Sequence, residues 1–433
     1  MKGGAFGRRK LSRKHFLQMG GASLAGAALL GTAGCGGGEG GENSIEWQAI
    51  PTYSTEQNTD QARVEYLEEA IASWEEDAEF TIEPLVSSSD ITAANARLLE
   101  QASQERAPDI AMVDSYLFPR FYDFARPVDL GDLSLEDWFP FARDLMTGGG
   151  EPKGIQFTTD VRVMFYRTDL LDSPPASWDE VLEVGGGLGQ DVDALLFPAG
   201  RDEATMTATI LPLFWSSGGE LTDEEGNPIF GEGQNRDAML AVLGFIQECV
   251  ENGLTPRRVT EYGLETDLDG DVASGNVAMF FGGNFQVGSL QEILGEEEFT
   301  SQWDVAPIPS ESGDNFASTA GGQMWGLFTP EEAKRQAAAD FLQAVFVGDE
   351  GMASWCNVGG YLPPRQSVFE VPAYEGDSYT DTFREHLNQY ARSRPPAESY
   401  QEISTALQVA ATQIVSGEAQ PEQALQTAVE SMG

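Results

Sequence analysis

The sequence predicts an α/β protein of two lobes, on the basis of its length, its hydrophobic content and the alternation of two hydrophobic patterns. The chain has 433 residues, of which 41% are hydrophobic. A chain of this composition can form a folded core, and at this length the core is expected to be divided between lobes. Segments with strand-like patterns alternate with segments of helical periodicity, which is typical of an α/β sheet.

The first part of the predicted fold shows this alternation most clearly. Strands are expected around residues 45–50, 79–83 and 110–113, and a helix is expected over residues 91–102. Another helix is predicted between the first two strands by apolar residues that share one helical face, namely Val64, Leu67, Ile71 and Trp74. In the last third of the chain the pattern predicts helices over residues 333–347, 400–415 and 421–432.

The charge of the chain is far from balanced, with 70 Asp and Glu against 25 Lys and Arg and a net charge of −45. Repulsion between these charges destabilises a folded state in dilute buffer, whereas in molar salt the Debye length falls to about 3 Å and most of the repulsion is screened. The acidic residues are spread along the chain, so we interpret them as an adaptation to high salt rather than as a surface for cations or basic partners. Nucleic-acid binding is excluded because it needs a basic patch.

The first residues have the order of features found in export signals: a basic segment, an apolar run and then small residues. Thr32-Ala33-Gly34-Cys35 is similar to a lipobox, so residues 1–34 are expected to be removed and Cys35 to be acylated. Residues 35–43 would then form a Gly-rich tether. Residues 12–17 resemble a twin-arginine signal, and both this route and general export stay open. We expect the protein at the outer face of the cell membrane, attached to it only by lipid.

The remaining cysteines and the single histidine after the leader limit the possible chemistry. Cys249 and Cys356 could form a disulfide outside the cell or stay as two separate buried thiols. His386 alone cannot form a multi-histidine metal site. The acidic segment Asp267–Asp271 lacks the glycine and the final glutamate of a calcium loop, and is therefore expected to be an acidic surface loop. No metal site and no cofactor are predicted.

A series of short motifs follows in order along the chain. They occupy residues 107–110, 163–171, 175–181, 215–219, 275–283, 303–309 and 360–363, and include Ala-Pro-Asp-Ile, Pro-Ala-Ser-Trp-Asp-Glu-Val and Gly-Tyr-Leu-Pro. Together they resemble the family 1 extracellular solute-binding proteins, the group that contains maltose-binding protein. The resemblance extends over nearly the whole chain after the leader.

The resemblance implies a type 2 periplasmic-binding-protein-like fold: two discontinuous α/β domains joined by hinge crossovers, with a ligand bound between the lobes. The first lobe would comprise residues 44–159 plus 309–348, and the second residues 160–308 plus 349–433. The hinges that the resemblance implies lie near Thr158–Asp160, Pro307–Pro309 and Gly348–Gly351. A monomer is expected.

The chemistry of sugar recognition selects the candidate ligand-binding residues. Aromatic rings stack on the apolar face of a sugar, and carboxylates and amides bond to its hydroxyls. Asp160 aligns with a family carboxylate near the hinge, and Phe285 with a stacking aromatic. The complete predicted set is Asp114, Tyr116, Asp160, Arg162, Asn284, Phe285, Trp325 and Tyr361.

The resemblance predicts a binding protein, not an enzyme, that carries a mono- or oligosaccharide to the permease subunits of an ABC importer. Alternative ligands are a polyamine, an organic cation or a metal ion, which an acidic cleft would also suit. A secreted glycoside hydrolase that uses two carboxylates is the alternative from another class of protein.

Salt dependence is a direct test of the charge interpretation. We predict that the protein without its leader loses helical and strand structure when it is diluted from molar salt into dilute buffer, because the repulsion between acidic side chains is no longer screened. Circular dichroism and melting temperature measured across a salt series give the result. Equal melting temperatures in dilute buffer and in molar salt would contradict an adaptation to high salt.

Overall fold

The computed structural model of the protein describes residues 43–189 and 191–432. Within this part of the chain, strands and helices alternate and the strands form two sheets. The predicted export signal, the predicted lipid site Cys35 and the tether up to residue 42 lie outside the described residues. The two sheets give the predicted mixed α/β, two-lobe architecture.

The strands of the described residues are short and mostly buried. In chain order they are β1 (Ser44–Ala49), β2 (Thr81–Val86), β3 (Ile110–Asp114), β4 (Gly154–Gln156), β5 (Asp160–Arg167), β6 (Asp193–Leu196), β7 (Val277–Gly283), β8 (Trp303–Ala306), β9 (Ser318–Gly321), β10 (Gln323–Leu327) and β11 (Ala391–Arg392).

The helices pack around these strands. In chain order they are α1 (Gln61–Glu75), α2 (Ile91–Ser103), α3 (Pro140–Thr147), α4 (Trp178–Gly187), α5 (Leu211–Ser216), α6 (Gly233–Glu251), α7 (Asp269–Ala273), α8 (Gln286–Leu294), α9 (Glu296–Gln302), α10 (Glu332–Leu342), α11 (Asp349–Gly359), α12 (Thr380–Gln389), α13 (Tyr400–Ser416) and α14 (Pro421–Glu430).

The first sheet has the order β2-β1-β3-β10-β4 and the second the order β11-β9-β5-β7-β6, with β8 also paired to β5. β1, β2 and β3 run parallel, whereas β10 runs antiparallel to both β3 and β4. β5 is antiparallel to β7, β8 and β9. Each sheet therefore combines strands that are distant in sequence, and their ends meet where the chain passes from one sheet to the other.

The predicted elements agree with the observed ones within a few residues. The predicted helix with one apolar face is α1, and the predicted helix at 91–102 is α2. Both helices begin at an aspartate whose carboxylate accepts backbone N–H bonds, Asp60 in α1 and Asp90 in α2. α4 begins with a capping box in which Ser177 and Glu180 bond to each other's backbone N–H.

The chain crosses between the sheets at a glycine that no other residue could replace without a shift of the backbone. Gly322 joins β9 of the second sheet to β10 of the first and has a φ of +122°. A Cβ atom at this position would lie 2.0 Å from the carbonyl oxygen of Thr158. Thr158 itself lies in the other crossing segment, between β4 and β5. The two crossings therefore run in close backbone contact, which only glycine permits.

The positions of the crossings refine the expected lobes. The strands change sheet between Gln156 and Asp160, where a hinge is expected, and again at Gly322, later in the chain than the expected hinge at Pro307–Pro309. α11, which was expected in the second lobe, packs on α1 of the first lobe. The reason is aromatic packing: Trp355 of α11 lies 5.8 Å from the ring of Tyr66.

The structure also shows the outcome of the expectations for the segment Asp267–Asp271 and for the cysteines. The segment Asp267–Asp271 is not a surface loop but lies in a short helical turn and α7, and the buried Asp269 accepts bonds from Gln286 and Ser289. Burial of an aspartate is tolerated here because both carboxylate oxygens have a donor. Of the cysteines in the described part of the chain, Cys249 and Cys356 are separate buried thiols. In that same part, no helix is both long and apolar enough to cross a bilayer.

A buried histidine makes the stability depend on pH. His386 in α12 is 4% exposed, and burial lowers its pKa to about 4, against about 6.5 in the unfolded chain. The unfolded chain therefore takes up a proton between these pH values while the folded protein does not. Above pH 6.5 the uncharged His386 costs the folded protein no stability, and below it the free energy of unfolding falls as the pH approaches 4.

We predict that the wild-type protein loses about 3 kcal/mol more stability than His386→Gln between pH 7 and pH 4, because glutamine does not titrate. Urea unfolding of both proteins in molar salt at several pH values measures the difference. Titration of the carboxylates contributes equally to the loss of stability in the wild type and in His386→Gln, so it cancels in the difference. Parallel stability curves for the two proteins would show that His386 is not the titrating group.

Candidate functional site

Two aspartates from different sheets meet at the Gly322 crossing. Asp114 ends β3 in the first sheet, and Asp160 begins β5 in the second. In the strand register, Gln323 lies opposite Asp114, and Gly321 lies opposite Asp160. The register places the two aspartates on either side of Gly322, at the junction of the lobes.

Asp160 and Arg162 form one ion pair that is extended by a buried glutamate. The guanidinium of Arg162 contacts the Asp160 carboxylate, and its Nη2 lies 2.8 Å from Oε1 of Glu265. Thr207 also donates to this glutamate oxygen at 3.1 Å. Burial alone would raise the pKa of Glu265, but the Arg162 charge and these hydrogen bonds outweigh it and lower the pKa. Glu265 therefore stays ionised and fixes the direction of Arg162.

Phe285 and Asn284 follow β7 and adjoin this ion pair. The Arg162 guanidinium carbon lies 5.5 Å from the centre of the Phe285 ring, which is within the range of a cation–π contact. Asn284 is buried, and its side-chain oxygen accepts the backbone N–H of Val161 at 3.0 Å. The amide of Asn284 thus ties β7 to β5, while Phe285 remains partly exposed.

A cavity of about 500 Å³ opens on the Phe285 side of the site. Besides Phe285 and Asn284, its wall includes Arg63 from α1 and Tyr361 from the segment after α11. The Tyr361 ring stacks on Tyr53 at 5.3 Å, and the Arg63 guanidinium lies 5.2 Å from the Tyr361 ring centre. The wall of the cavity therefore includes the aromatic rings of Phe285 and Tyr361 and the polar side chains of Arg63 and Asn284.

On the other side of Gly322, Asp114 and Tyr116 contact an arginine that sequence reasoning did not find. Nη2 of Arg394 lies 3.2 Å from Oδ1 of Asp114, and Nη1 lies 3.3 Å from Oε2 of Glu203. The same guanidinium lies 3.6 Å from the centre of the Tyr116 ring. Burial raises the pKa of Asp114, the Arg394 charge lowers it, and the net pKa is above the usual value.

Glu203 was also missed, although a signal for it existed. It follows β6 of the second sheet, and loops after the carboxyl ends of strands are where α/β folds place ligands. Tyr400 donates to its carboxylate at 2.9 Å, and Ser404 donates to it as well. Arg394 gave no comparable signal, because its acidic partners lie 191 and 280 residues away in the sequence.

Trp325 lies apart from these groups. It is fully buried in the first sheet, and its ring stacks on Phe157 at 4.7 Å and packs against Trp47 and Phe346. Its position in β10 turns the side chain into the aromatic core and away from the cavity. We therefore leave Trp325 out of the site.

The assembled site can bind a neutral polar molecule by hydrogen bonding and stacking. Its carboxylates are Asp114, Asp160, Glu203 and Glu265, and each contacts an arginine. Over residues 43–189 and 191–432 no group of three or more His, Cys, Asp or Glu side chains is arranged to hold a metal ion. Paired charged groups of this kind can bond to hydroxyls, and the aromatic rings can stack on an apolar face.

Comparison with known proteins shows the family of the chain. Residues 69–381 match the model of the bacterial extracellular solute-binding proteins. The chain is 24% identical over 271 residues to the lactose-binding protein of Rhizobium radiobacter, a match that covers 58% of this chain and 59% of that protein, or about three fifths of its length. It is 25% identical over 308 residues to a probable ABC transporter-binding protein of Deinococcus radiodurans, covering 67% of this chain and 70% of that one.

A solved structure supports the same fold. The cyclic alpha-maltosyl-1,6-maltose binding protein of Arthrobacter globiformis superimposes with a TM-score of 0.70 and 19% identity, over 90% of this chain and 97% of that one. The likeness extends to both lobes, and the family model covers most of the chain. The chain therefore belongs to the bacterial extracellular solute-binding proteins, a family of binding proteins and not of enzymes.

Proposed function

We propose that the protein captures a small sugar in the cavity beside Phe285 and delivers it to the permease subunits of an ABC importer. The observation that carries the proposal is the pairing of aromatic surface with fixed polar groups: Phe285 and Tyr361 line a cavity of about 500 Å³, and the Arg162–Asp160 pair adjoins Phe285. A sugar needs both, because its ring has an apolar face and its hydroxyls need donors and acceptors. The lactose- and maltose-related ligands named for the relatives agree with this class of ligand.

The proposed mechanism is closure of the two lobes on the ligand. Asp160 begins the strand that follows the first crossing, so a ligand that bonds to it also contacts the segment that bends. Binding then shifts the population of lobes toward the closed state by its preference for that state. We propose that the protein acts as a monomer on the outer face of the membrane, held there by a lipid on Cys35.

The ligand class is tested by melting the protein without its leader in molar salt with sugars, polyamines or divalent metal ions. A ligand at 100 times its Kd stabilises the fold by about 2.7 kcal/mol. Stabilisation by a mono- or oligosaccharide, with a smaller radius of gyration in X-ray scattering, is the expected result. Stabilisation by a polyamine or a metal ion alone would overturn the sugar assignment, and turnover of a glycoside would overturn binding as the function.

Substitutions in the site test whether Asp160 and Phe285 contact the sugar. We predict that Asp160→Asn weakens sugar binding about tenfold, because it removes an ionised acceptor and loosens Arg162. Phe285→Ala should weaken binding as well, because stacking on a ring contributes about 1 kcal/mol beyond the buried area. Isothermal titration calorimetry measures both effects.

The strand β5 provides its own control for these variants. At its far end Arg167 forms a matching two-residue ion pair with Asp169, at 2.6 Å and away from the cavity. Asp169→Asn should leave sugar affinity unchanged. The melting temperature of each variant without ligand should stay within a few degrees of the wild-type value. If Asp160→Asn binds sugar as tightly as the wild type, Asp160 is not part of the site.

The lipid anchor is tested separately. We predict that Cys35→Ser releases the protein into the medium or leaves it with its leader, because serine provides no thiol for acylation. Fractionation of cells and mass spectrometry of the N-terminus give the result. A variant that is processed normally and still sediments with membranes would rule out lipid attachment at Cys35.

A further inference from the structure

An arginine of the first lobe lines the cavity beside Phe285. Arg63 lies in the first turn of α1, which follows β1 of the first sheet, and it shares the lining with Phe285 and Asn284. Phe285 and Asn284 follow β7 of the second sheet. A ligand in this cavity can therefore contact elements that belong to both sheets.

Contacts within the protein fix the position of Arg63. Its Nη2 donates to the carbonyl oxygen of Gly359 at 3.0 Å, and its Nε lies 3.3 Å from Oδ2 of Asp60. The guanidinium carbon lies 5.2 Å from the centre of the Tyr361 ring, within the range of a cation–π contact. The side chain is thus held in place before a ligand binds, which reduces the conformational entropy that binding costs.

The Tyr361 ring is itself held by its neighbours. It stacks on the Tyr53 ring at 5.3 Å, and it lies so close to Gly359 that a Cβ atom there would be 2.1 Å from it. Only glycine permits this approach of ring and backbone. Tyr361 therefore positions Arg63, and the guanidinium supplies a polar contact on this wall of the cavity.

One nitrogen of Arg63 keeps its donors for a ligand. Within residues 43–189 and 191–432, Nη1 makes no hydrogen bond, whereas Nε faces Asp60 and Nη2 faces Gly359. A guanidinium is a donor only, so the group that it binds must be an acceptor, such as a hydroxyl or a ring oxygen of a sugar. A hydrogen bond from a charged donor is stronger than one between neutral groups.

The arginines near the cavity already have counter-charges within the protein. Asp60 pairs with Arg63, and Arg162, whose guanidinium lies 5.5 Å from the Phe285 ring centre, has two carboxylate partners of its own. The acidic side chains of the lining are exposed to solvent, namely Glu292 and Asp377. A cationic ligand would meet a guanidinium beside each aromatic ring, and an anionic ligand would approach a chain with a net charge of −45. A ligand without charge avoids both costs.

We propose that Arg63 is a ligand-binding residue of the first lobe, and that its ligand is a sugar without a charged group. Nη1 of Arg63 donates to an oxygen of a sugar whose ring lies against Phe285. Because this sugar bridges α1 and the segment after β7, Arg63 also links binding to closure of the lobes. The inference rests on the proposed function and extends it to a residue that the sequence did not select.

The role of Arg63 is tested by calorimetric titration of the protein without its leader, in molar salt, with neutral sugars that include glucose, galactose, lactose and maltose. Arg63→Met should weaken binding about tenfold, because it keeps an unbranched side chain beside Tyr361 but removes the donors. Arg63→Lys keeps a charged donor without the planar fork, and should weaken binding only about threefold.

X-ray scattering separates a ligand contact from a purely structural role. Saturating sugar should reduce the radius of gyration of the wild type more than that of Arg63→Met, because a sugar held by the second lobe alone does not favour the closed state. The melting temperature of Arg63→Met without ligand should stay within a few degrees of the wild-type value.

Arg97→Met is the matched control, because Arg97 is exposed on α2 and does not line the cavity. It should keep the wild-type affinity. Sugar binding by Arg63→Met that is as tight as in the wild type would overturn the role of Arg63 and leave the proposed function standing. Should Arg63→Met not fold, unchanged binding by Arg63→Lys leads to the same conclusion.

The absence of charge on the ligand is tested with galacturonate, galactosamine and spermidine. Each should bind the wild type at least about tenfold more weakly than the tightest neutral sugar of the panel. Tighter binding of any of these charged compounds would overturn the neutral ligand. If neither a neutral nor a charged sugar binds the wild type, the proposed function fails, and the role of Arg63 fails with it.

Discussion

The structure depends on the close contact between two crossing segments of the chain at Gly322. The carbonyl oxygen of Gly321 accepts from the side chains of Gln156 at 2.7 Å and Thr159 at 2.9 Å, and the N–H of Gln323 donates to the hydroxyl of Thr158 at 3.2 Å. These buried bonds satisfy the backbone where regular sheet pairing ends. Because the two crossings are bonded to each other, the register on both sides is fixed, and with it the positions of Asp114 and Asp160.

Several arginines of this acidic chain form ion pairs in its interior. Arg162, Arg365 and Arg394 are buried, and each pairs with two carboxylates. A guanidinium suits this role because its planar fork of donors can serve two acceptors, which a lysine ammonium does less precisely. Each such arginine turns two neighbouring acids from a source of repulsion into a fixed part of the structure. Two of the three stand at the junction of the lobes, where the site is formed.

The same ion pairs prepare the site before a ligand arrives. Arg162 is held by Asp160 and by Glu265, so its side chain does not have to be ordered on binding. Groups that are already in place make binding more favourable, because less conformational entropy is lost. Phe285 gains a defined position from the Arg162 guanidinium and from the tie between Asn284 and β5. The charged and aromatic groups of the site are therefore held in place by contacts within the protein.

The sequence by itself determined the class of the fold and most of its elements. Hydrophobic periodicity is a local property, so it located α1, α2 and α13 and the three parallel strands of the first sheet, and the order of motifs indicated the family. The sequence also selected Asp160, Arg162 and Phe285 as candidate ligand contacts, and the structure brings these three residues together. The buried position of Trp325 depends on which face of β10 meets the core, and periodicity does not determine this in a strand that is buried throughout.

Only the tertiary structure decided which charged groups meet at the junction of the lobes. Arg394 lies in a short Arg-Pro-Pro segment without periodicity, and nothing local distinguishes it from the other arginines of the chain. Its contacts are with Asp114, which ends β3 of the first sheet, and with Glu203, which follows β6 of the second sheet. An ion pair between distant residues depends on their separation in space, and a sequence specifies that separation only through the whole fold.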